Sequence, residues 1–231
     1  MASPLVLLPG LMCDARVWAA QLAAFADHAP WSPGGYGQGE TITAMAEAAL
    51  GAAPPRMSLV GHSMGARVAL EMVRLAPERI ERLALLDTGI HPPGPGEREK
   101  RYALLQLGRD HGVEALVDQW LPPMVHPDRR ADPEFLRPMR TMCVEAGIET
   151  YERQIKALLA RPDAAAVLDR IKAPTLVGVG RQDEWSPVAQ HEQIVARIVG
   201  ARLTIFENSG HMSPVEAPDQ VNHALRQWLN A

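Results

Sequence analysis

Short apolar runs alternate along this chain with stretches in which apolar residues recur every three or four positions. The first run, Leu5-Val6-Leu7-Leu8, stops at Pro9-Gly10, the pattern of a buried strand entering a turn. Val17, Trp18, Leu22 and Phe25 then recur at helical spacing behind Asp14, which predicts a helix from Asp14 to Phe25 with Asp14 as its N-cap. Pro30 to Gly39, with four glycines and two prolines, reads as loop, and Thr41 to Leu50 reads as helix. Met57-Ser58-Leu59-Val60 is a second strand, ended at Gly61, and the spacing from Met64 to Leu75 predicts a helix that Pro77 terminates. Arg82 to Leu86 is a third strand. Later come strand Thr175–Val179, a helix from Val188 to Val199, strand Leu203–Phe206 and a last helix ending near Leu229.

Strands of four to six residues without polar alternation are those of a sheet covered on both faces, and their alternation with helices predicts a mostly parallel sheet flanked by helices. Residues 88–162 break this rhythm. They hold nine of the twenty prolines and no strand-like run, and their apolar pattern is helical throughout: Tyr102, Leu104 and Leu105, then Val113, Leu116, Val117 and Trp120, then Ile148, Tyr151, Ile155, Leu158 and Leu159. The expectation is a core built from residues 1–87 and 163–231, carrying an inserted helical cap at 88–162. Pro122-Pro123, Pro127, Pro133 and Pro138 are expected to break that cap into pieces.

Composition narrows the function classes. At 231 residues the chain is long enough for one domain with an insertion, and 47% hydrophobic with 22% charged residues excludes a disordered or fibrous protein. A net charge of −4 argues against a nucleic-acid binder dominated by phosphate contacts. Cys13 and Cys143 have no paired spacing, so no zinc site is expected and a reducing compartment is. The apolar start is too short for a signal peptide or a membrane span, and a cytoplasmic protein without membrane partner is expected.

Gly61-His62-Ser63-Met64-Gly65 has the form Gly-x-Ser-x-Gly, which chance would supply about 0.04 times in a chain of this composition. A strand precedes it and a helix follows at once. Such a turn strains its central residue and brings helix and strand so close that only glycine fits beside it. A serine hydroxyl is a poor nucleophile without a base, and the base needs an orienting acid. Loops at the carboxyl ends of later strands should supply both: Gly180-Arg181-Gln182-Asp183 follows one, and Ser209-Gly210-His211 another.

With these three motifs in this order the chain resembles the α/β-hydrolase superfamily, in its small, capped, esterase-like form. The resemblance covers nearly everything outside the cap. It implies the α/β-hydrolase fold, a catalytic triad of Ser63, Asp183 and His211, and an oxyanion hole made by the backbone amides of Leu11 and Met64. The motifs say little about substrate; the expectation is a serine hydrolase acting on a small, uncharged or weakly charged carboxylic ester, thioester or lactone, with no metal or organic cofactor. The chain departs from the family pattern twice: Pro9-Gly10 stands where His-Gly is usual, and no β-hairpin precedes the first strand, which suggests a sheet shortened at one edge.

Other residues compete for roles. Asp87 also ends a strand and is the alternative triad acid. His62 is expected to turn away from the nucleophile and pack, and His91, His111 and His126 to be solvated. His191-Glu192 lacks the second histidine of a metalloprotease motif, since Val195 stands there. Cys13 follows the oxyanion loop and reads as a buried thiol, Cys143 as cap core. The glycines from Gly34 to Gly39 match no nucleotide-binding fingerprint. Trp185, Trp120, Met124, Met139 and Met142 form either an apolar substrate wall or plain core. The same triad also supports carbon–carbon bond hydrolysis, lyase chemistry and cofactor-free peroxidation, and a non-catalytic ligand receptor or scaffold could retain the fold. Partners beyond a small-molecule substrate are not expected, other than copies of the chain in a small homo-oligomer.

Overall fold

The structure is a computed structural model that describes residues 3–231. Five parallel strands, β1 (Leu5–Leu8), β2 (Met57–His62), β3 (Ile80–Leu86), β4 (Thr175–Gly180) and β5 (Arg202–Phe206), form one sheet in that spatial order. Every residue of β1, β2 and β4 is buried, which is why these segments read as unbroken apolar runs. Between β1 and β2 lie α1 (Ala19–Ala24) and α2 (Ile42–Ala52), and α3 (Met64–Leu75) joins β2 to β3. The insertion carries α4 (Glu97–His111), α5 (Val113–Trp120), α6 (Pro133–Ala146) and α7 (Ile148–Leu159); α8 (Ala165–Leu168) leads back into β4. The chain finishes with α9 (Val188–Arg197) between β4 and β5, then α10 (Ser213–Glu216) and α11 (Pro218–Leu229). α1 packs against α11, whereas α2 and α8 both pack against α3.

Local chemistry sets the element ends. Asp14 caps, but the turn it caps is a 3-10 helix, Ala15–Trp18, with the α-helix proper starting only at Ala19. Thr41 and Asp132 accept from the amides of Ala44 and Phe135 and so start α2 and α6. Two expectations need correction. Trp31, inside the Gly/Pro-rich loop, pairs with the outer edge of β1: its amide donates to Leu5 (2.8 Å) and its carbonyl accepts from Leu7 (2.9 Å). Pro138 does not break the cap, because α6 runs through it. Its missing amide would have met the carbonyl of Glu134, an exposed residue of the first turn where water can substitute.

Because all five strands are parallel, their carboxyl ends share one rim, the usual place for a site in an open α/β sheet. Two glycines let the chain turn sharply there. A Cβ on Gly61 would fall 2.5 Å from the carbonyl oxygen of Gly65 and 2.6 Å from the amide of Ala66, and one on Gly65 would collide with the carbonyl oxygens of Leu8 and Pro9. Helix α3 therefore lies directly on the ends of β1 and β2. Gly65→Ala is expected to lower stability by about 1–3 kcal/mol as an overpacked site that only backbone could relieve. Gly51→Ala, in open space on α2, should be neutral or slightly stabilising. Urea denaturation midpoints at unchanged slope would read both, and a silent Gly65→Ala would refute the close packing.

Candidate active site

Ser63 follows β2 directly and adopts φ 55° and ψ −118°, a conformation costly for any side-chain-bearing residue. Three hydrogen bonds hold it there. Its amide donates to the carbonyl of Leu86 (2.9 Å), and its carbonyl accepts from the amide of Ala66 (3.1 Å) and the hydroxyl of Thr88 (3.0 Å). A serine before a helix ordinarily caps it with its hydroxyl. Ser63 does not: its hydroxyl makes no capping bond and meets Nε2 of His211 at 2.8 Å.

His211 stands in the loop after β5, and its Nδ1 donates to Oδ2 of Asp183 at 2.8 Å. Asp183, in the loop after β4, is fixed by the amides of Trp185 (2.8 Å) and Ser186 (2.9 Å) on one oxygen and the Ser186 hydroxyl (2.7 Å) on the other. Hydroxyl, imidazole and carboxylate thus form one hydrogen-bonded line across three loops. Burial works against the Asp183 anion, but the adjoining His211 and the Ser186 donors hold its carboxyl below the ordinary range. Burial likewise disfavours a charged His211, and the Asp183 carboxylate outweighs it, so the imidazole is raised above its ordinary value.

Asp87 occupies the neighbouring position at the end of β3 but turns elsewhere. It accepts from the amide of Gly180 (2.9 Å) and the hydroxyl of Ser213, and among the described residues no hydrogen bond joins it to His211. Burial, reinforced by the nearby Asp183 charge, pushes its carboxyl well up. Asp87 ties β3, β4 and α10 together.

His62 is buried, edge-on to Trp18, and its Nε2 donates to the carbonyl of His211 (2.7 Å). Burial, with the neighbouring His211, pushes its pKa down to about 3, so it is a neutral strut beneath the histidine loop. His191 is neutral for the same first reason, pushed down to about 4 by burial, and accepts the amide of Thr88 (2.9 Å). His91 and His111 are exposed, while His126 is half-buried.

Three contacts from α7, the cap and α10 had no distinctive sequence signal. The amide of Met12, at φ 56°, donates to Oε1 of Gln154 on α7 (2.7 Å), fixing the loop that carries Leu11. The amide of His211 donates to the carbonyl of Met124 (2.7 Å). Glu216 accepts from the amides of His126 (2.7 Å), Gly210 (2.8 Å) and Met212 (3.2 Å). The amide of Met64, first in α3, has no intrahelical acceptor, and Leu11 and Met64 border the same cavity as Ser63. That cavity, about 660 Å³, is also lined by Trp185, Trp120 and Met124. Met139 and Met142 do not reach it and belong to the core. Cys13 is buried at its edge and Cys143 is buried in the cap.

A sequence model of the alpha/beta hydrolase family matches residues 5–224, and the chain belongs to that family. An esterase from Thermogutta terrifontis, solved with malate bound, superposes over 100% of this chain and 90% of its own with a TM-score of 0.91 at 28% identity. The enol-lactonase from Burkholderia xenovorans LB400 covers 100% of this chain and 93% of its own, with a TM-score of 0.84 at 26% identity. A 2-hydroxy-6-oxononadienedioate/2-hydroxy-6-oxononatrienedioate hydrolase from Paraburkholderia phymatum is 31% identical over 75% of this chain, which spans 62% of that enzyme's length. Among the described residues no helix is long and apolar enough to cross a membrane.

In nitrogen-15 NMR of histidine-labelled protein, His211 is expected to titrate above the ordinary value of about 6.5. His62 should stay neutral and protonated on Nε2 from about pH 5 to 8. A His211 midpoint well below 6.5 would mean that no charged carboxylate faces it.

Proposed function

We propose that this protein is a serine hydrolase that cleaves a small carboxylic ester, thioester or lactone through an acyl-enzyme on Ser63. The observation that carries this reading is the unbroken line from the Ser63 hydroxyl through His211 to Asp183, both links 2.8 Å long. Ser63 Oγ attacks the carbonyl carbon as His211 Nε2 takes its proton. The imidazolium, stabilised by Asp183, then protonates the leaving alcohol or thiol, and neutral His211 next activates the water that releases the acid. The amides of Leu11 and Met64 receive the oxyanion, and a single such donor is worth about 2.7–4 kcal/mol in other hydrolases. Gln154 keeps the Leu11–Met12 loop from rotating away. Residues 88–162 act as a lid over a core of residues 1–87 and 163–231, with Trp120, Met124 and Trp185 on the substrate wall. The esterase and the enol-lactonase in the comparison support ester and lactone substrates. A second reading, carbon–carbon bond hydrolysis on the same triad, draws on the Paraburkholderia relative.

The pH dependence follows from His211. It must be neutral to accept the proton, and its raised pKa places the acid limb of kcat/KM above about pH 6.5. Ser63→Ala is expected to fold normally and lose turnover of a panel of p-nitrophenyl esters, thioesters and lactones, while a fluorophosphonate probe labels Ser63 in the wild type. Retained turnover in the variant would end the assignment. Asp183→Asn should cost about 10³–10⁴ in kcat. The reverse outcome, with Asp87→Asn crippled and Asp183→Asn active, would transfer the acid role to Asp87.

A further inference from the structure

The cavity over Ser63 is strongly basic on one side. Arg67, one turn beyond Ser63 on α3, Arg101 on α4 and Arg161 just after α7 all border it. Glu97 answers two of them: it takes Arg161 through a fork of 2.6 and 2.7 Å and Arg101 at 2.8 Å. Arg67 is left over. Its Nη2 donates to the carbonyl of His91 (2.9 Å), which Arg161 also contacts (3.1 Å), and among the described residues no carboxylate lies within ion-pair distance of it. The other acidic residues nearby are engaged elsewhere. Glu184 pairs with Arg130 (3.0 Å), and Asp163 accepts the amide of Ala165 (2.8 Å) at the start of α8. Three guanidinium groups and Lys100 therefore line a half-enclosed cavity with Glu97 and Glu184, and of the two carboxylates only Glu97 pairs with any of the three. Burial, with Arg161 beside it, brings the pKa of Arg67 down to about 9, and Glu97 and Asp163 offset this only in part.

A partly desolvated guanidinium with free donors is a site for a planar anion, which it can bind through two parallel hydrogen bonds. We propose that Arg67 docks a carboxylate carried by the substrate, so that the substrate is the half-ester, half-thioester or carboxylated lactone of a short dicarboxylic acid. This rests on the reading of Ser63 as nucleophile. Ser63 stands at the cap of α3 and Arg67 in its first turn, four positions on, and both line the same cavity. One small molecule of a few carbon atoms can thus place its carbonyl on Ser63 and its carboxylate on Arg67. The expectation of an uncharged or weakly charged substrate drew on motifs at the strand ends, which contain none of these arginines.

Direct binding tests the site apart from the chemistry. Calorimetric titration with glutarate in chloride-free buffer is expected to give equal affinity for wild type and Ser63→Ala. Arg67→Gln should lose about 10- to 100-fold, and Arg67→Lys should retain part of it. In turnover, Arg67→Gln should lower kcat/KM for monomethyl glutarate by a similar factor, mainly through KM, and leave methyl pentanoate within about threefold. Equal losses on both esters would show that Arg67 only braces the His91 loop, and inorganic phosphate binding as tightly as glutarate would show an unspecific anion hole; either overturns the proposal. Should Arg67→Gln not fold, the Ser63→Ala protein decides alone: failure to bind glutarate refutes the site. Glutarate binding without turnover of either ester would instead sink the serine-hydrolase reading and leave the anion site standing. Methyl pentanoate turnover without glutarate binding would do the opposite.

Discussion

The left-handed backbone at Ser63 is the constraint from which the rest of the rim follows. A side-chain-bearing residue at φ 55° costs on the order of 1–3 kcal/mol and persists only where its surroundings over-determine it. Here they do. The neighbouring strand receives its amide, Thr88 and Ala66 hold its carbonyl, and two glycines allow α3 to press onto β1 and β2 with no space to relax. The strain has a consequence for chemistry. By leaving the capping conformation, Ser63 frees its hydroxyl from the helix end and turns it toward His211. Met12 and Asp87, also at positive φ, follow the flanking strands β1 and β3, while Ala29 and Asn208 hold the same backbone elsewhere.

Two buried carboxylates stand close to that point, and their environments push them apart. Asp183 has three donors from its own loop and a histidine beside it, which keeps it ionised despite burial. Asp87 is fully enclosed and feels the Asp183 charge as repulsion, which favours its neutral form. Like charges this near cannot both be stabilised, and donors decide which one ionises. The ionised group is also the one that reaches Nδ1 of His211. That contact is itself the leading cause that holds Asp183 low, so the geometry and the electrostatics of this carboxylate are one arrangement.

Much of this architecture could be read from residues in order. Parallel strands covered on both faces leave apolar runs bounded by turn residues, and Leu5–Leu8, Met57–Val60 and Thr175–Val179 were recognisable for that reason. Ser63, Asp183 and His211 were recognisable because each follows a strand within a few residues and carries a side chain suited to the chemistry. Trp31 was not, because its strand-like pairing is borrowed from β1 and its own neighbours are loop formers. Gln154 and Glu216 are ordinary helix residues. Their role comes from contacts 142 and 90 positions away in the chain, and no local pattern encodes such a distance. Arg67 falls between these cases: its place on α3 follows from the sequence, but its missing counter-ion appears only when Glu97 is seen to be shared by Arg101 and Arg161.

The inserted helices are bound into the rim rather than laid across it. Gln154 holds the Met12 amide, the Met124 carbonyl holds the amide of His211, and Glu216 clamps His126 together with the residues on either side of His211. Each of these bonds is buried or partly buried, so parting them would leave polar groups unsatisfied at about 1–3 kcal/mol apiece. A movement of the whole insertion would break the bonds that cross to it from Gln154, Met124 and His126, and so free the Met12 and His211 loops together. Residues 91–96 are held at His91, whose carbonyl accepts from Arg67 and Arg161 and whose ring meets Gln193 on α9. They are largely exposed, contain Gly94 and Gly96, and border the same cavity beside the half-exposed Trp185. Arg67 and Arg161, which both grip the carbonyl of His91, thus hold the exposed border of the cavity, as Gln154 and Met124 hold the Met12 and His211 loops.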